Sequence, residues 1–207
     1  MTYAPKPAVE QWRSLVSELA GPLPVSFLLG LMDRLSSGDD AYEGSLGGRG
    51  LYQIHPNTAT ALGEDPAVLW DPESNTEIAV SLIMQRSQEI QAKDPTIAGQ
   101  RPGDLGLLTT ASYLWGPGTI LPKVTPGITA AEIFSQLDAK VGQFAVDVFA
   151  RAQAYTTPAE PDTAIVPSST EPESKASALK PLLWLAGIAG VAVGAFFLFN
   201  PKPKRRK

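Results

Sequence analysis

The sequence contains no cysteine and only one histidine, His55. Without cysteine, the chain has no disulfide bond and no thiolate ligand for a metal ion. A single histidine excludes a histidine-rich metal site, and the absence of cysteine excludes a cysteine–histidine pair for nucleophilic catalysis. We interpret His55 as a packing or solvent-exposed residue rather than as a catalyst.

A secretory signal is also missing from the amino-terminal stretch MTYAPKPAVEQW. A signal peptide needs a basic segment followed by an apolar run, and this stretch has neither. We therefore expect that the chain is not exported by the ordinary secretory route.

A long apolar run is present near the other end of the chain, where it begins at Leu182 and ends at Phe199. At a rise of about 1.5 Å per residue, a helix of this length just crosses a hydrocarbon core of about 30 Å. We predict a single transmembrane helix over residues 181–199 that anchors the chain in a lipid bilayer. The basic residues after it place the carboxyl terminus on the cytoplasmic or equivalent face.

Small residues recur at every fourth position of this run, at Ala186, Gly190 and Gly194. Small side chains let a second helix approach closely, so this stripe predicts a homo-oligomeric contact. The alternative is that small residues are simply common in membrane helices.

Charge divides the chain into an acidic body and a basic tail. Residues 1–155 carry 10 basic and 17 acidic side chains, a net charge of −7. Residues 200–207 carry five positive charges and no acid. The tail is either the positive flank of the membrane helix or a site for the phosphates of nucleic acid or anionic lipid. Residues 156–179, rich in Pro, Ser, Thr and Glu, are predicted to be a disordered tether.

The apolar residues of the first 155 positions follow a helical period and almost never alternate as in a strand. We predict an all-α domain over residues 1–155, with short helices joined by glycine- and proline-containing loops. Asn75 is the predicted N-cap of one helix, and TAAE at 129–132 is a capping-box pattern. The predicted helices cover residues 9–19, 25–35, 78–90, 104–115 and 141–153.

Three motifs occur in a defined order within this domain. They are GRGLYQIHPNTA at 48–59, DPESN at 71–75, and ASYLWGPG at 111–118. Together they resemble the conserved blocks of soluble-type lytic transglycosylases, which are relatives of goose-type lysozyme. The resemblance spans about residues 20–120 and implies a lysozyme-like helical fold.

The resemblance also implies an activity. Enzymes of that family cleave the β-1,4 bond between N-acetylmuramic acid and N-acetylglucosamine in peptidoglycan and form a 1,6-anhydro sugar. A single glutamate acts first as the acid and then as the base, and no metal or organic cofactor is needed. The candidate sugar-binding residues in this chain are Ser36, Ser45, Tyr52, Gln53 and Tyr113. The alternative for Tyr52 and Tyr113 is that they are half-buried core residues.

The expected catalytic glutamate is not at its expected position. In the family it lies about fifteen residues before the glycine that corresponds to Gly50, and here that position is Leu35. Ser36 then matches the serine that follows the glutamate. Leu114 likewise stands where the family has an asparagine. Leucine cannot transfer a proton, so the departures predict weakened or lost catalysis.

Other carboxylates nearby are the candidate substitutes. Asp33 lies two residues before the position expected for the glutamate. Two residues on a helix turn about 200°, so Asp33 faces away from that position unless the alignment shifts by two residues. Glu43 has the right side chain and lies in the loop before the glycine turn, together with Asp39 and Asp40. We retain Asp33 and Glu43 as the leading catalytic candidates, against the alternative that no catalytic acid remains.

Two functions follow from these observations. One is a membrane-anchored lytic transglycosylase that acts on peptidoglycan. The other is a non-catalytic module that binds peptidoglycan or serves as a structural membrane protein of a virion. Because peptidoglycan lies outside the cytoplasmic membrane and no signal peptide is expected, the topology favours the internal membrane of a bacteriophage virion. The alternative location is the bacterial inner membrane.

Overall fold

The computed structural model describes residues 3–156, and these form an all-helical unit, as the apolar period predicts. The three predicted segments from residue 157 onwards, including the membrane helix over 181–199 and the tail over 200–207, lie outside the described residues. Between residues 3 and 156, no helix combines the length and the apolar character that a membrane span requires. The α-helices are α1 Pro7–Glu10, α2 Arg13–Leu19, α3 Val25–Leu35, α4 Pro56–Leu62, α5 Pro72–Lys93, α6 Ile97–Gln100, α7 Pro102–Trp115, α8 Pro117–Ile120, α9 Ala130–Ser135 and α10 Ala139–Ala154, with 3₁₀ helices at Pro66–Trp70 and Leu121–Lys123.

The main core forms around α3, whose bounds match the prediction. Its residues Phe27, Leu28, Leu31 and Met32 are buried, and the helix packs along α10. At Gly30 the two helices touch so closely that a Cβ atom would lie 2.6 Å from the backbone nitrogen of Ala152. Glycine is therefore required here for the contact between the helices.

A second core lies at the other end of the unit, between the end of α5 and helices α6, α7 and α9. Trp115, the last residue of α7, packs against both cores. Its ring meets the edge of Phe144 from α10 at 5.4 Å between centroids, a T-shaped geometry that aromatic pairs favour. The glycine turn described below lies beside the main core, which includes Leu51 and Ile54.

Two local predictions need correction. The predicted helix over 9–19 is two helices, α1 and α2, separated at Trp12, whose indole Nε1 donates a hydrogen bond to the Gly38 carbonyl. Helix α5 is capped by Asp71 rather than by Asn75, because the Asp71 carboxylate accepts from the Ser74 amide. The backbone and hydroxyl hydrogen bonds from Ser74 lower the pKa of Asp71. The capping box between Thr129 and Glu132 is present as predicted.

Asn75 instead joins three segments of the chain. Its side-chain Oδ1 accepts a hydrogen bond from the Tyr52 amide at 2.9 Å. Its Nδ2 donates to the carbonyls of Arg49 at 3.0 Å and Leu69 at 2.9 Å. The residue is fully buried, so losing any of these bonds would leave a polar group without water. We call these three bonds the Asn75 clamp.

Gly50 makes the clamp possible. Its φ of 71° is in the left-handed region, which glycine adopts without steric cost. A Cβ atom there would lie 2.4 Å from the Leu69 carbonyl oxygen and 2.5 Å from Asn75 Nδ2. Glycine is therefore required at position 50 by the contact with Asn75 as well as by the turn itself.

Asp33, a candidate catalytic acid, lies in an ion-pair network that ties the amino-terminal segment to α3 and α10. Lys6 Nζ is 2.6 Å from one of its carboxylate oxygens, and Arg151 is 3.2 Å from the other. Arg151 also pairs with Asp147, which pairs with Arg34 at 2.8 Å. The Asp33 side chain is almost completely buried. A buried carboxylate held by two cations is poorly placed to protonate a substrate, which argues against Asp33 as the catalytic acid.

Two glycine substitutions separate the effect of the positive φ at Gly50 from the effect of its lack of space for a Cβ atom. Gly63 has a similar φ of 86°, yet a Cβ atom there meets nothing within 4 Å. We expect Gly63→Ala to lower the free energy of unfolding by about 1 kcal/mol through backbone strain alone. Gly50→Ala should cost at least about 2 kcal/mol more, because it also displaces Leu69 and Asn75. Urea denaturation measures both, and equal losses would contradict the clamp.

Substitution of Asp33 tests its structural role. Asp33→Asn removes a buried charge that holds Lys6 and Arg151, and we expect it to lower the free energy of unfolding by about 2 kcal/mol. Asp39→Asn is the matched control in the exposed loop and should change stability by less than about 0.5 kcal/mol. Thermal or urea unfolding gives both values. A variant at Asp33 as stable as the control would refute the role assigned to the network.

Candidate functional site

The glycine-rich stretch forms a tight projecting turn between Glu43 and Arg49, which face each other in an antiparallel bridge. Within it, the Gly44 amide donates to the Gly48 carbonyl at 2.9 Å and the Gly47 amide donates to the Gly44 carbonyl at 2.8 Å. Ser45 and Leu46 lie at the tip, and Leu46 is 89% exposed. We call residues 43–49 the glycine turn.

Gln53, the central residue of the predicted sugar site, fixes the base of this turn. It has a positive φ of 52°, and its side-chain Nε2 donates to the carbonyls of Tyr42 at 2.8 Å and Gly50 at 2.9 Å. A Cβ atom at Gly44 would lie 2.4 Å from Gln53 Oε1. Both amide hydrogens are used within the protein, so Gln53 offers a ligand only its oxygen as an acceptor.

The two candidate tyrosines occupy different environments. Tyr52 is completely buried in the main core, which favours the alternative interpretation as a core residue over a sugar contact. Tyr113 is half-buried, and its hydroxyl donates to the Tyr52 carbonyl at 2.9 Å. Burial raises the pKa of both phenols, so both stay protonated at neutral pH. Tyr113 thereby connects α7 to the segment that follows the glycine turn.

The remaining predicted contacts separate into structural and exposed residues. Ser36 is buried, and its hydroxyl accepts from the Gly38 amide at 3.2 Å where α3 ends. Ser45 is exposed at the tip of the glycine turn. His55 begins α4, where its Nδ1 accepts from the Asn57 amide at 3.1 Å. Ser45 and His55 are both exposed, and a Cβ atom at Gly47 would lie 3.6 Å from His55 Nε2, so both side chains lie in solvent beside the glycine turn.

Glu43 is the predicted acid that the structure places at the glycine turn. Its side chain is about half exposed, and its Oε1 is 3.6 Å from Arg49 Nε. Asp39 and Asp40 precede it in the loop, where the Asp39 carboxylate accepts from the Ala41 amide. Glu43 is therefore accessible to a ligand, and it lies beside a cation rather than within an apolar enclosure.

The two leucines at the expected polar positions present apolar surface. Leu35, at the end of α3, is half-buried. It packs against the core cluster that contains Tyr52, and Tyr113 packs against the same cluster. Leu114 lies next to Tyr113 on α7 and is 39% exposed. Neither position supplies a hydrogen-bond donor, an acceptor or a proton.

Two further residues, Arg49 and Trp70, also belong to the candidate site. The guanidinium carbon of Arg49 lies 5.3 Å from the centre of the Trp70 ring, within the range of a cation–π contact. Trp70 ends the 3₁₀ helix before α5 and is 38% exposed. The signal for Arg49 was a basic side chain between two glycines, whereas nothing in the sequence links Trp70 to it.

The arrangement is suited to hold an extended polar ligand rather than a metal ion. Among residues 3–156, no group of three or more histidine, aspartate or glutamate side chains is placed to bind a metal. The side chains around the turn instead combine hydroxyl, carboxylate, guanidinium and indole groups, from Ser45, Glu43, Arg49 and Trp70. Such a mixture of polar and aromatic groups is typical of surfaces that contact sugars.

Comparison with known proteins agrees with the all-helical fold. The structure of an inactive mutant of the lytic transglycosylase Slt from Pseudomonas aeruginosa matches with a TM-score of 0.52 at 20% sequence identity. The match covers 68% of this chain but only 23% of that chain, and at this identity it establishes the fold. No match was found among the curated proteins.

A family model gives the assignment. The model described as the transglycosylase SLT domain matches residues 18–124, just over half of the chain. The matched range runs from the end of α2 to the loop before α9 and therefore contains Leu35, the glycine turn, the Asn75 clamp and Tyr113. The chain belongs to the transglycosylase SLT family.

Proposed function

We propose that this protein acts on bacterial peptidoglycan by binding its glycan strands at the glycine turn, with catalysis weakened or lost. Membership of the transglycosylase SLT family supports peptidoglycan as the ligand. The observation that carries the proposal is Leu35, which packs half-buried at the end of α3 where the resemblance calls for the catalytic glutamate.

The chemistry of the reaction explains why Leu35 matters. Protonation of the glycosidic oxygen needs a group that holds a proton within hydrogen-bonding reach, and an apolar surround favours the protonated form of such an acid. Leu35 contacts the apolar core that would supply this surround, but it carries no proton. Asp33, two positions earlier, is held by Lys6 and Arg151. Both positions therefore support a site that binds glycan without efficient cleavage.

A catalytic alternative rests on Glu43. Its carboxylate is on the glycine turn and is about half exposed, so a bound strand would pass within its reach. Against this role, Glu43 lies in solvent beside Arg49 and lacks an apolar enclosure. If it were the acid, Glu43→Gln would abolish cleavage.

The membrane and virion assignments are part of the same proposal. The apolar run over residues 181–199 supports a bilayer anchor, and the small residues within it support contact between copies of the chain. The basic tail supports an interaction with anionic lipid or nucleic acid. The proposed location is the internal membrane of a bacteriophage virion, with the bacterial inner membrane as the alternative.

Restoring the acid tests the proposal directly. Wild-type full chain should sediment with purified sacculi and release no 1,6-anhydro muropeptides above background. Leu35→Glu should raise their release by about 100-fold or more, because a positioned acid contributes at least that factor. Leu35→Gln is the matched control, since it has a similar shape and carries no transferable acidic proton, and it should remain inactive. Chromatography of the soluble products measures each case.

Three outcomes distinguish the alternatives. Product release by the wild-type chain that disappears in Glu43→Gln would replace the proposal with an active enzyme. Equal release from Leu35→Glu and Leu35→Gln would show that Leu35 does not occupy the position of the acid. Failure of the wild-type chain to sediment with sacculi would contradict binding itself.

A further inference from the structure

The arginines of the domain differ in how their charge is used. Five of the six among residues 3–156 pair closely with a carboxylate on the same or a neighbouring helix or loop. Arg49 is the exception. Its guanidinium makes no hydrogen bond within the described residues, and its one ionic contact, to Glu43 at 3.6 Å, is longer than a hydrogen bond. The five that pair are Arg13, Arg34, Arg86, Arg101 and Arg151.

The backbone of Arg49 is held from three sides. Its amide donates to the Ile54 carbonyl at 3.0 Å, and its carbonyl accepts from the Ile54 amide at 3.1 Å and from Asn75 Nδ2 at 3.0 Å. The side chain then stacks on Trp70. A cation on so fixed a support loses little conformational freedom when a ligand binds, which favours affinity.

Arg49 Nε is buried, but the side chain is 28% exposed, so its unused terminal N–H donors beside the Trp70 ring point to a particular ligand chemistry. Arginine binds carboxylates through two parallel N–H···O bonds, and such charge-assisted bonds are about twice as strong as bonds to neutral groups. Glu43 is close enough to attract the guanidinium but too far to satisfy it. The position therefore suits a carboxylate supplied by the ligand, with Glu43 as its competitor.

We propose that Arg49, stacked on Trp70, recognises a carboxylate of the peptidoglycan strand. This inference rests on the proposed function, because it takes the strand to lie along the glycine turn. The strand offers two sources of the group, namely the lactyl carboxylate of muramic acid when the peptide is absent and the carboxylates of the stem peptide when it is present. Oligomers of N-acetylglucosamine carry neither and so supply the comparison. Arg49 thereby selects peptidoglycan over neutral glycans of the same backbone.

The test compares three soluble glycans by titration calorimetry with the full chain in detergent. They are N-acetylglucosamine oligomers, peptide-free strands with lactyl carboxylates, and strands that carry stem peptides. Wild type should bind at least one carboxylate-bearing strand about tenfold more tightly than the neutral oligomer. The preferred strand identifies the source of the carboxylate, and higher salt should reduce the preference.

Substitutions connect the preference to Arg49. Arg49→Met keeps the stacked side chain without the charge, so it should remove the tenfold preference and weaken binding of the neutral oligomer by a smaller factor. Arg86→Met removes the charge of an arginine that pairs with Glu89 within α5. It should change neither the preference for carboxylate-bearing strands nor the affinity for the neutral oligomer. Glu43→Gln removes the competitor and should increase the preference severalfold.

The outcomes separate this inference from the proposed function. If wild type binds all three glycans equally, or if Arg49→Met weakens all three by the same factor, Arg49 does not recognise a carboxylate although the site still binds glycan. If wild type binds none of them, the proposed function fails and this inference falls with it. Circular dichroism confirms that Arg49→Met is folded, and Arg49→Lys, which keeps the charge, should retain part of the preference.

Discussion

The site depends on one buried amide. Asn75 connects the start of α5 to the residue before Gly50 and to the residue after Leu51, so it sets the direction in which the glycine turn leaves the core. A turn of several glycines has many accessible conformations, and fixing it costs conformational entropy. Hydrogen bonds to Asn75 and from Gln53 offset that cost. The accessible surface of the turn is therefore a consequence of interactions beneath it.

The polar contacts that hold the turn are made by residues such as Asn75 and Tyr113. The positions expected to handle protons and sugar hydroxyls are Leu35 and Leu114, both apolar. Arg49 adds a charge whose hydrogen-bonding capacity is not used within the domain. Fold alone does not fix activity, and an apolar side chain at Leu35 beside a polar surface at the turn is compatible with binding.

Some of this could be predicted from the sequence, and the limits have physical reasons. The bounds of α3 follow from its apolar period, and the family resemblance follows from the order of three motifs. The local sequence of Asn75 resembles a helix start, whereas two of its three side-chain bonds reach residues more than twenty positions earlier. The sequence around Asp33 gives no sign of its pairing with Arg151, which is distant in sequence. Contacts of this kind depend on tertiary structure and leave no local pattern.

The central claim is that the clamped glycine turn binds the glycan strand. Hydrogen–deuterium exchange of the full chain, with and without soluble peptidoglycan strands, tests it most directly. We expect the backbone amides of residues 42–54 and those around Trp70 to exchange more slowly when the strands are present, and the amides of α10 to exchange at an unchanged rate. Protection confined to other parts of the domain, with none at the glycine turn, would contradict it.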